Sequence, residues 1–517
     1  MSPGVQNYSR VAERGRERDR ISRRQFLRTT STLTAVTILA SQGILRFPEA
    51  VASVTPIRRS SVAVNPAQVV GVNNLNLGVM LAYESTEFTK DAARRQLVRN
   101  AGFKLVRVFD NQKRDPTPCT SWDETSGTGT FDWTDLDALV RSITDTGAEP
   151  MFCLGGTASS VPSYQPKIPN GMAVDPSTNL PYPKSFAAYA GAWVKHFKSE
   201  GLPVRFYEVW NEPWGYFGWQ PVDFGKLANY MQLFNATAAN MRGENPDISI
   251  SFDFITRQPV LDYWLANDGA DVDSLNFHKY GDYVAGRLTD AEMFDKAENQ
   301  YFGKWPMGYT IQEARQAWSR IHGRDLPVIC SESGFNSAWE NGTDPRIQQM
   351  AGTVWNALTL RMGILNGLMY SVQYCLSMSA SYGATQQTGG LGFGMINRDN
   401  NAPWYPYHLH YMLGNNLSAG DPLLQTASSS DNIRTLAWLH NGILRILLIC
   451  KNDKPETITL QGVTGKAGFL RIDNNIPWIQ PKLQSGETNL EEPLTLNGYT
   501  VMLLGGDDPA GLAIATG

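Results

Sequence analysis

Two carboxylates stand where they could share one reaction. Glu212 closes the run Phe206-Tyr207-Glu208-Val209-Trp210-Asn211-Glu212-Pro213, and Glu332 lies in Leu326-Pro327-Val328-Ile329-Cys330-Ser331-Glu332-Ser333-Gly334. Each ends a short apolar, strand-like run. Pro213 forces the chain out of its strand directly after Glu212. Cleaving a glycosidic bond needs two carboxyls flanking it. One delivers a proton to the leaving oxygen, and in a retaining reaction the other attacks the anomeric carbon. Asn211 is placed to donate to a sugar hydroxyl beside the reacting carbon. The competing reading is a salt-bridged pair of strand-end carboxylates with no chemistry.

Other residues fit around that pair. In Asn276-Phe277-His278-Lys279-Tyr280, strand alternation puts His278 and Tyr280 on one side. His278 could equally be a satisfied core histidine. Arg107 lies inside the strand-like run Val106-Arg107-Val108-Phe109-Asp110, and a charge there needs a partner. A salt bridge in the barrel floor would supply one. Asp110 could touch sugar. Trp214, Tyr216, Phe217 and Trp219 follow Glu212, and rings on such loops pack on sugar faces or on one another; Trp214 is the leading candidate for substrate. His196 and His322 fall on helical segments and read as outer-surface residues. His408 and His410 lack the further ligands a metal pair needs, so packing explains them better. No metal or cofactor is expected.

The elements that must position these residues alternate along the chain. Short strand-like runs occupy 70–82, 104–110, 149–155, 205–212, 248–254, 274–280, 327–333 and 367–376, with amphipathic helical segments between them. Gly147 and Gly201 follow two of these helices, where a left-handed cap is expected. Eight strand–helix pairs predict a (β/α)8 TIM barrel over 70–420, with Glu212 and Glu332 at the ends of strands four and seven on its C-terminal face. The rival, a doubly wound open sheet, would bring a glycine-rich phosphate loop, and Asn73-Asn74-Leu75-Asn76-Leu77-Gly78 is none. From 421 to 517 the pattern becomes all-β, with a hairpin signal at Asn441-Gly442, and predicts a C-terminal β-sandwich. Residues 53–69 are a linker or a sandwich strand. Segments 111–131, 157–184 and 282–310 fall on loops that would shape the cleft.

The first 52 residues read as an address. Ser22-Arg23-Arg24-Gln25-Phe26-Leu27, a mild apolar stretch and Ala50-Val51-Ala52 describe a signal peptide of twin-arginine type. This predicts the twin-arginine machinery as a partner, a secreted or periplasmic location and no membrane span after cleavage. The 517 residues carry 45 basic and 49 acidic side chains, a balance that gives no reason to expect nucleic acid. The five cysteines are scattered and form no disulfide framework or zinc site; Cys153 and Cys330 read as buried.

The Trp-Asn-Glu-Pro on strand four and the Glu-Ser-Gly on strand seven resemble the clan GH-A glycoside hydrolases, the 4/7 barrels, and most of all their cellulase-like, family 5-like and family 39-like members. The resemblance spans roughly 70–505. It implies Glu212 as acid/base, Glu332 as nucleophile and Asn211 as partner of the 2-hydroxyl. It also implies Arg107, His278 and Tyr280 in the site, with Tyr280 bonded to the nucleophile. The eighth strand departs from the clan, which often carries a Trp there. Here the run is Met369-Tyr370-Ser371-Val372-Gln373-Tyr374-Cys375, so Tyr374, Trp339 or Trp404 would supply the ring. The expected function is hydrolysis of a β-linked glycan or glycoside with retention, with a carbohydrate as substrate. The alternatives are a non-catalytic glycan-binding protein, a transglycosylase and an exported redox protein, the last disfavoured by the scattered Cys and His. Sugar identity, exo or endo action and oligomeric state are open at this level.

Overall fold

The computed structural model describes residues 59–82, 84–109, 118–156, 168–219, 221–254, 257–299, 308–338, 344–377, 392–477 and 481–506. Residues 1–52, expected to be a leader, Asp110, Trp339 and parts of the three insertions lie outside them.

Eight parallel strands close into a barrel in sequence order: Asn76–Leu81, Leu105–Phe109, Glu149–Gly156, Phe206–Asn211, Ser249–Asp253, Ser274–Asp282, Val328–Asn336 and Tyr370–Gln373. They are buried on both faces, which is why they read as continuous apolar runs. Helices cover the outside. Pro183–Ser199 buries Phe186, Tyr189, Trp193 and Phe197, the face its spacing predicts. Gly147 and Gly201 both adopt left-handed φ, at 86° and 64°. Among the described residues, no helix is long and apolar enough to cross a membrane.

The predicted first strand, 70–82, is in fact two. Arg59–Val72 belongs to the C-terminal sheet and Asn76–Leu81 to the barrel. Asn73 makes the break. Its amide donates to the carbonyls of Leu75 at 3.1 Å and Ser418 at 2.8 Å, and its Oδ1 accepts from Leu75 N–H at 2.9 Å. A side chain that bonds its own backbone two residues on turns the chain where periodicity alone runs straight through.

The C-terminal region is one sheet of nine strands. Their order is Gln484–Asn489, Lys466–Asp473, Thr500–Leu504, Ile443–Cys450, Ile433–His440, Pro422–Ser428, Arg59–Val72, Glu456–Gln461 and Leu494–Leu496. It is antiparallel except where Arg59–Val72 pairs with Glu456–Gln461. The sheet curls over one core of its own, in which Val62, Ile446, Ile458, Leu496 and Met502 meet. Its other face joins the barrel core through Trp438, Leu447, Ile449, Val501 and Leu503. Alternate residues of one strand therefore enter different cores, and Ile446 to Cys450 are buried without a break. The hairpin at Asn441-Gly442 has φ of 51° and 77°, the positive pair a two-residue turn of this twist needs.

Polar contacts reinforce the junction. Glu298, at the end of helix Asp290–Asn299, accepts from Arg434 Nε at 2.5 Å and Lys451 Nζ at 2.8 Å. Trp438 donates its indole N–H to the carbonyl of Asn416 at 2.6 Å. Because the two regions share apolar surface, they should unfold together. Leu447→Ala, at a fully buried position facing the barrel, is expected to cost about 2–5 kcal/mol. Urea denaturation followed by fluorescence and circular dichroism should show one transition, moved to lower urea; two separate transitions would contradict a shared core.

Candidate active site

The site is assembled on the C-terminal ends of strands two, four, five, six and seven. Its base is Arg107, mid-strand two and fully buried. Nε and Nη2 donate to Glu208 Oε2 at 2.8 and 2.5 Å, Nη2 donates to Asn211 Oδ1 at 2.9 Å, and Nη1 donates to Glu332 Oε1 at 2.7 Å. One guanidinium thus ties strand two to strands four and seven. Burial works against its charge, but Glu208 and Glu332 outweigh that and hold its pKa well above the ordinary value. Burial also works against the charge on Glu208, yet Arg107, His278 and Asn276 keep its carboxyl below the usual range. Asn276 Nδ2 and Ser331 Oγ saturate the other oxygen of Glu208, at 3.1 and 3.0 Å. The two sequence-level readings of Arg107, site support and barrel-floor salt bridge, are both realised.

Strand four departs from alternation to bring two neighbours inward together. Trp210 has φ of 74° and Glu212 φ of 49°, conformations that side chains with a Cβ rarely adopt. Trp210 turns to the helices, where it packs on Phe186 at 5.7 Å, and the Val209 carbonyl accepts from Tyr230. Asn211 and Glu212 both face the mouth, meeting Arg107 and His278. Gly155 on strand three makes room, because a Cβ there would stand 2.7 Å from the Trp210 ring. Strand seven does the same by a bulge between Cys330 and Glu332, which turns both Ser331 and Glu332 inward. Strained backbone held by surrounding packing clusters at functional sites.

Strand six alternates normally, and His278 and Tyr280 face the mouth as their spacing predicts. Tyr280 OH donates to Glu332 Oε2 at 2.8 Å. Burial, with Glu332 beside it, pushes the phenol pKa well above its usual value, so it remains a donor. His278 Nδ1 lies 2.9 Å from Glu212 Oε1 and 3.4 Å from Glu332 Oε2. Burial favours the neutral imidazole, but Glu332, the hydrogen bond to Glu212 and Asp253 prevail and raise its pKa to about 9. Behind it, Asp253 Oδ2 at the end of strand five is 4.0 Å from Nε2. Burial lifts the Asp253 pKa to about 7, against the pull of His278.

Glu212 and Glu332 thus have different surroundings. The Glu332 side chain is 6% exposed and held by two donors, whereas that of Glu212 is 28% exposed and borders the open side. Their nearest oxygens, with His278 Nδ1, all lie within 4.8 Å of one another, so the three side chains could also face a cation. The spacing is that of hydrogen bonding. Ligands around tetrahedral zinc stand roughly 3.3 Å apart, wider than the 2.9 Å between His278 and Glu212. Arg107 beside Glu332 adds a fixed positive charge against a second one.

The aromatic candidates divide. Tyr216 and Phe217 are buried packing residues. Trp214 is half-buried and meets Trp219 edge-on at 5.2 Å, and Trp219 is exposed. Tyr374, on the segment that departs from the clan, lies 6.2 Å from Tyr280 and is buried. Trp404 is buried at the start of helix Tyr405–Gly414. Two expectations for histidines need correction. His196 stacks on Trp133 at 4.2 Å and bonds Asp137 at 2.7 Å, and His322 stacks on Trp318 at 4.1 Å, so neither is simply a surface side chain. His408 and His410 are buried and bond the carbonyls of Pro481 and Pro406. Glu208 and Asp253 were not anticipated. The signal for Glu208 was the demand of Arg107 for a partner, met by a carboxylate four residues before Glu212; Asp253 left no comparable signal.

No protein-family model matches the chain, and no curated protein sequence does. Solved structures match its fold. A monomeric β-xylosidase from Caulobacter crescentus is 15% identical with a TM-score of 0.61, over 86% of this chain and 99% of that one. An α-L-arabinofuranosidase from Thermotoga maritima is 12% identical with a TM-score of 0.58, over the same shares. A GH30 endoxylanase from Clostridium papyrosolvens is 13% identical with a TM-score of 0.54, again over those shares. At such identity the likeness establishes the architecture, a TIM barrel followed by a β domain.

Two measurements test the site's electrostatics. Arg107→Met leaves Glu208 buried without its cation and should cost about 3–5 kcal/mol in urea denaturation. His278 has a folded-state pKa raised above the unfolded value, so its contribution is full below about pH 6.5 and is lost as pH rises through about 9. The melting temperature should fall over that interval in the wild type and fall less in His278→Gln; equal slopes would contradict the assignment.

Proposed function

We propose that the chain is a retaining glycoside hydrolase of the clan GH-A type, acting on O-glycosyl bonds of a β-linked carbohydrate. The observation that carries this reading is the pair of opposed glutamates. They come from strands four and seven, their oxygens lie within 4.8 Å, and their partners are unequal. Retaining enzymes keep their carboxyls about 5–5.5 Å apart, whereas inverting ones hold them about 6.5–9.5 Å apart to admit a water.

Glu332 is the nucleophile. Arg107 and Tyr280 fix its two oxygens, so it reaches the anomeric carbon as an oriented carboxylate. Glu212, on the open side, gives its proton to the departing oxygen as the C–O bond breaks and the Glu332 ester forms. It then takes a proton from the water that cleaves the ester, which restores both groups. Arg107 occupies Asn211 Oδ1, so the amide turns its N–H groups to the substrate, where they can bond a sugar hydroxyl. His278 bridges the two carboxylates and Trp214 borders the cleft. The named activities of the fold neighbours, β-xylosidase, α-L-arabinofuranosidase and endoxylanase, lie within the same reaction class and support it. The twin-arginine motif in the first 52 residues supports an enzyme working outside the cytoplasm.

The test is a panel of aryl β-glycosides, soluble β-glucan, xylan and mannan, with wild type, Glu212→Gln and Glu332→Gln. One substrate should be cleaved by the wild type with retention, and both variants should lose about 10²–10⁴-fold or more in kcat/KM while melting normally. Activity surviving Glu332→Gln would overturn the nucleophile, binding without cleavage would indicate a glycan-binding protein, and transfer dominating over hydrolysis would indicate a transglycosylase.

A further inference from the structure

Among the described residues, several arginines in the segments that follow the barrel strands, on the side of the carboxylates, are neutralised. Arg94 holds Glu84 at 3.0 Å, Arg287 holds Asp282, and Arg346 holds Asp344 at 2.7 Å. Arg257, just past strand five, meets no carboxylate among the described residues. It is half-buried, its guanidinium donates a long 3.4 Å bond to the Gly218 carbonyl, and its guanidinium carbon lies 5.7 Å from the Trp219 ring centre. Burial draws its pKa down, and no acid opposes that. An unpaired, partly desolvated guanidinium is costly unless something else meets it.

Its position links it to the chemistry. Trp219 packs on Trp214, and Trp214 lies two residues past Glu212. The exposed Trp219 offers a surface on which a sugar can stack, and the guanidinium fork matches the two oxygens of a carboxylate or sulfate. The mouth itself holds Glu208, Glu212, Asp253 and Glu332 against Arg107 and His278. An acidic glycan would be repelled there unless a cation nearby received its charge.

We propose that Arg257 and Trp219 form a subsite beside the acid/base that binds an oxyanion carried by the glycan, a uronic acid carboxylate or a sulfate ester. This rests on the hydrolase reading and narrows its substrate to acidic or acid-decorated chains.

The experiment uses the full chain and matched oligosaccharides on the backbone identified by the panel above: unsubstituted, bearing a uronic acid, and sulfated. The ratio of kcat/KM for each acidic member to the neutral one is measured for wild type, Arg257→Gln and Arg257→Lys. The wild type should prefer one acidic member. Arg257→Gln should lower that ratio at least tenfold, and Arg257→Lys should keep most of it. The arm that collapses names the oxyanion. A wild type that prefers the neutral chain, or a ratio unchanged within twofold in Arg257→Gln, overturns the subsite while leaving the hydrolase standing. If the wild type cleaves nothing, the hydrolase reading falls instead. Calorimetric titration of the same oligosaccharides then decides the subsite: at least tenfold weaker binding of an acidic member to Arg257→Gln supports it, and equal binding overturns it.

Discussion

The site depends on one buried cation. Arg107 is sealed from solvent inside the second strand, where a guanidinium is tolerated only if its donors are met. They are met by Glu208, Asn211 and Glu332, which come from two other strands. Satisfying the charge therefore fixes the distance and rotation between strands four and seven. Glu208 supplies the negative charge that makes Arg107 affordable, which leaves one guanidinium N–H for Glu332. Without Glu208, the charge on Arg107 would be balanced by the proposed nucleophile alone, and orienting that group would compete with neutralising the barrel floor.

A regular strand cannot present adjacent side chains to the same face. Both carboxylate-bearing strands break that rule at the point of need, strand four by positive φ at Trp210 and Glu212 and strand seven by a bulge before Glu332. The cost of each is met by packing nearby. Trp210 is held against Phe186 over a glycine that leaves it space, and the Ser331 turned inward by the bulge satisfies Glu208. The deviations thus serve the same network that Arg107 organises.

This explains what could be read in the sequence. The eight barrel strands and the inward pair His278 and Tyr280 follow from periodicity, which the structure obeys there. Glu212 and Glu332 were visible from residue type and from the Pro that ends strand four. The inward turn of Ser331 beside Glu332 was not visible, because period-two reasoning sends neighbours to opposite faces. The split of 70–82 was missed for a related reason: the turn depends on the Asn73 side chain meeting Ser418, which lies 345 residues away along the chain. The C-terminal β domain was legible from its short strands and the Asn441-Gly442 turn, but the order of its nine strands was not, because burial on both faces hides which residues share a side. Asp253 is a short acid at the end of an ordinary strand, and only the fold places it behind His278.

The electrostatics of the mouth add a constraint on how it can work. His278 touches both glutamates, and its positive charge persists because three carboxyls surround it. That charge offsets the repulsion between Glu212 and Glu332, which would otherwise resist two negative groups so close together. Forming an ester at Glu332 would remove one of those negative charges and leave His278 between Glu212 and Asp253. In the proposed double displacement, such a change in partner strength would serve Glu212, which would act first as acid and then as base.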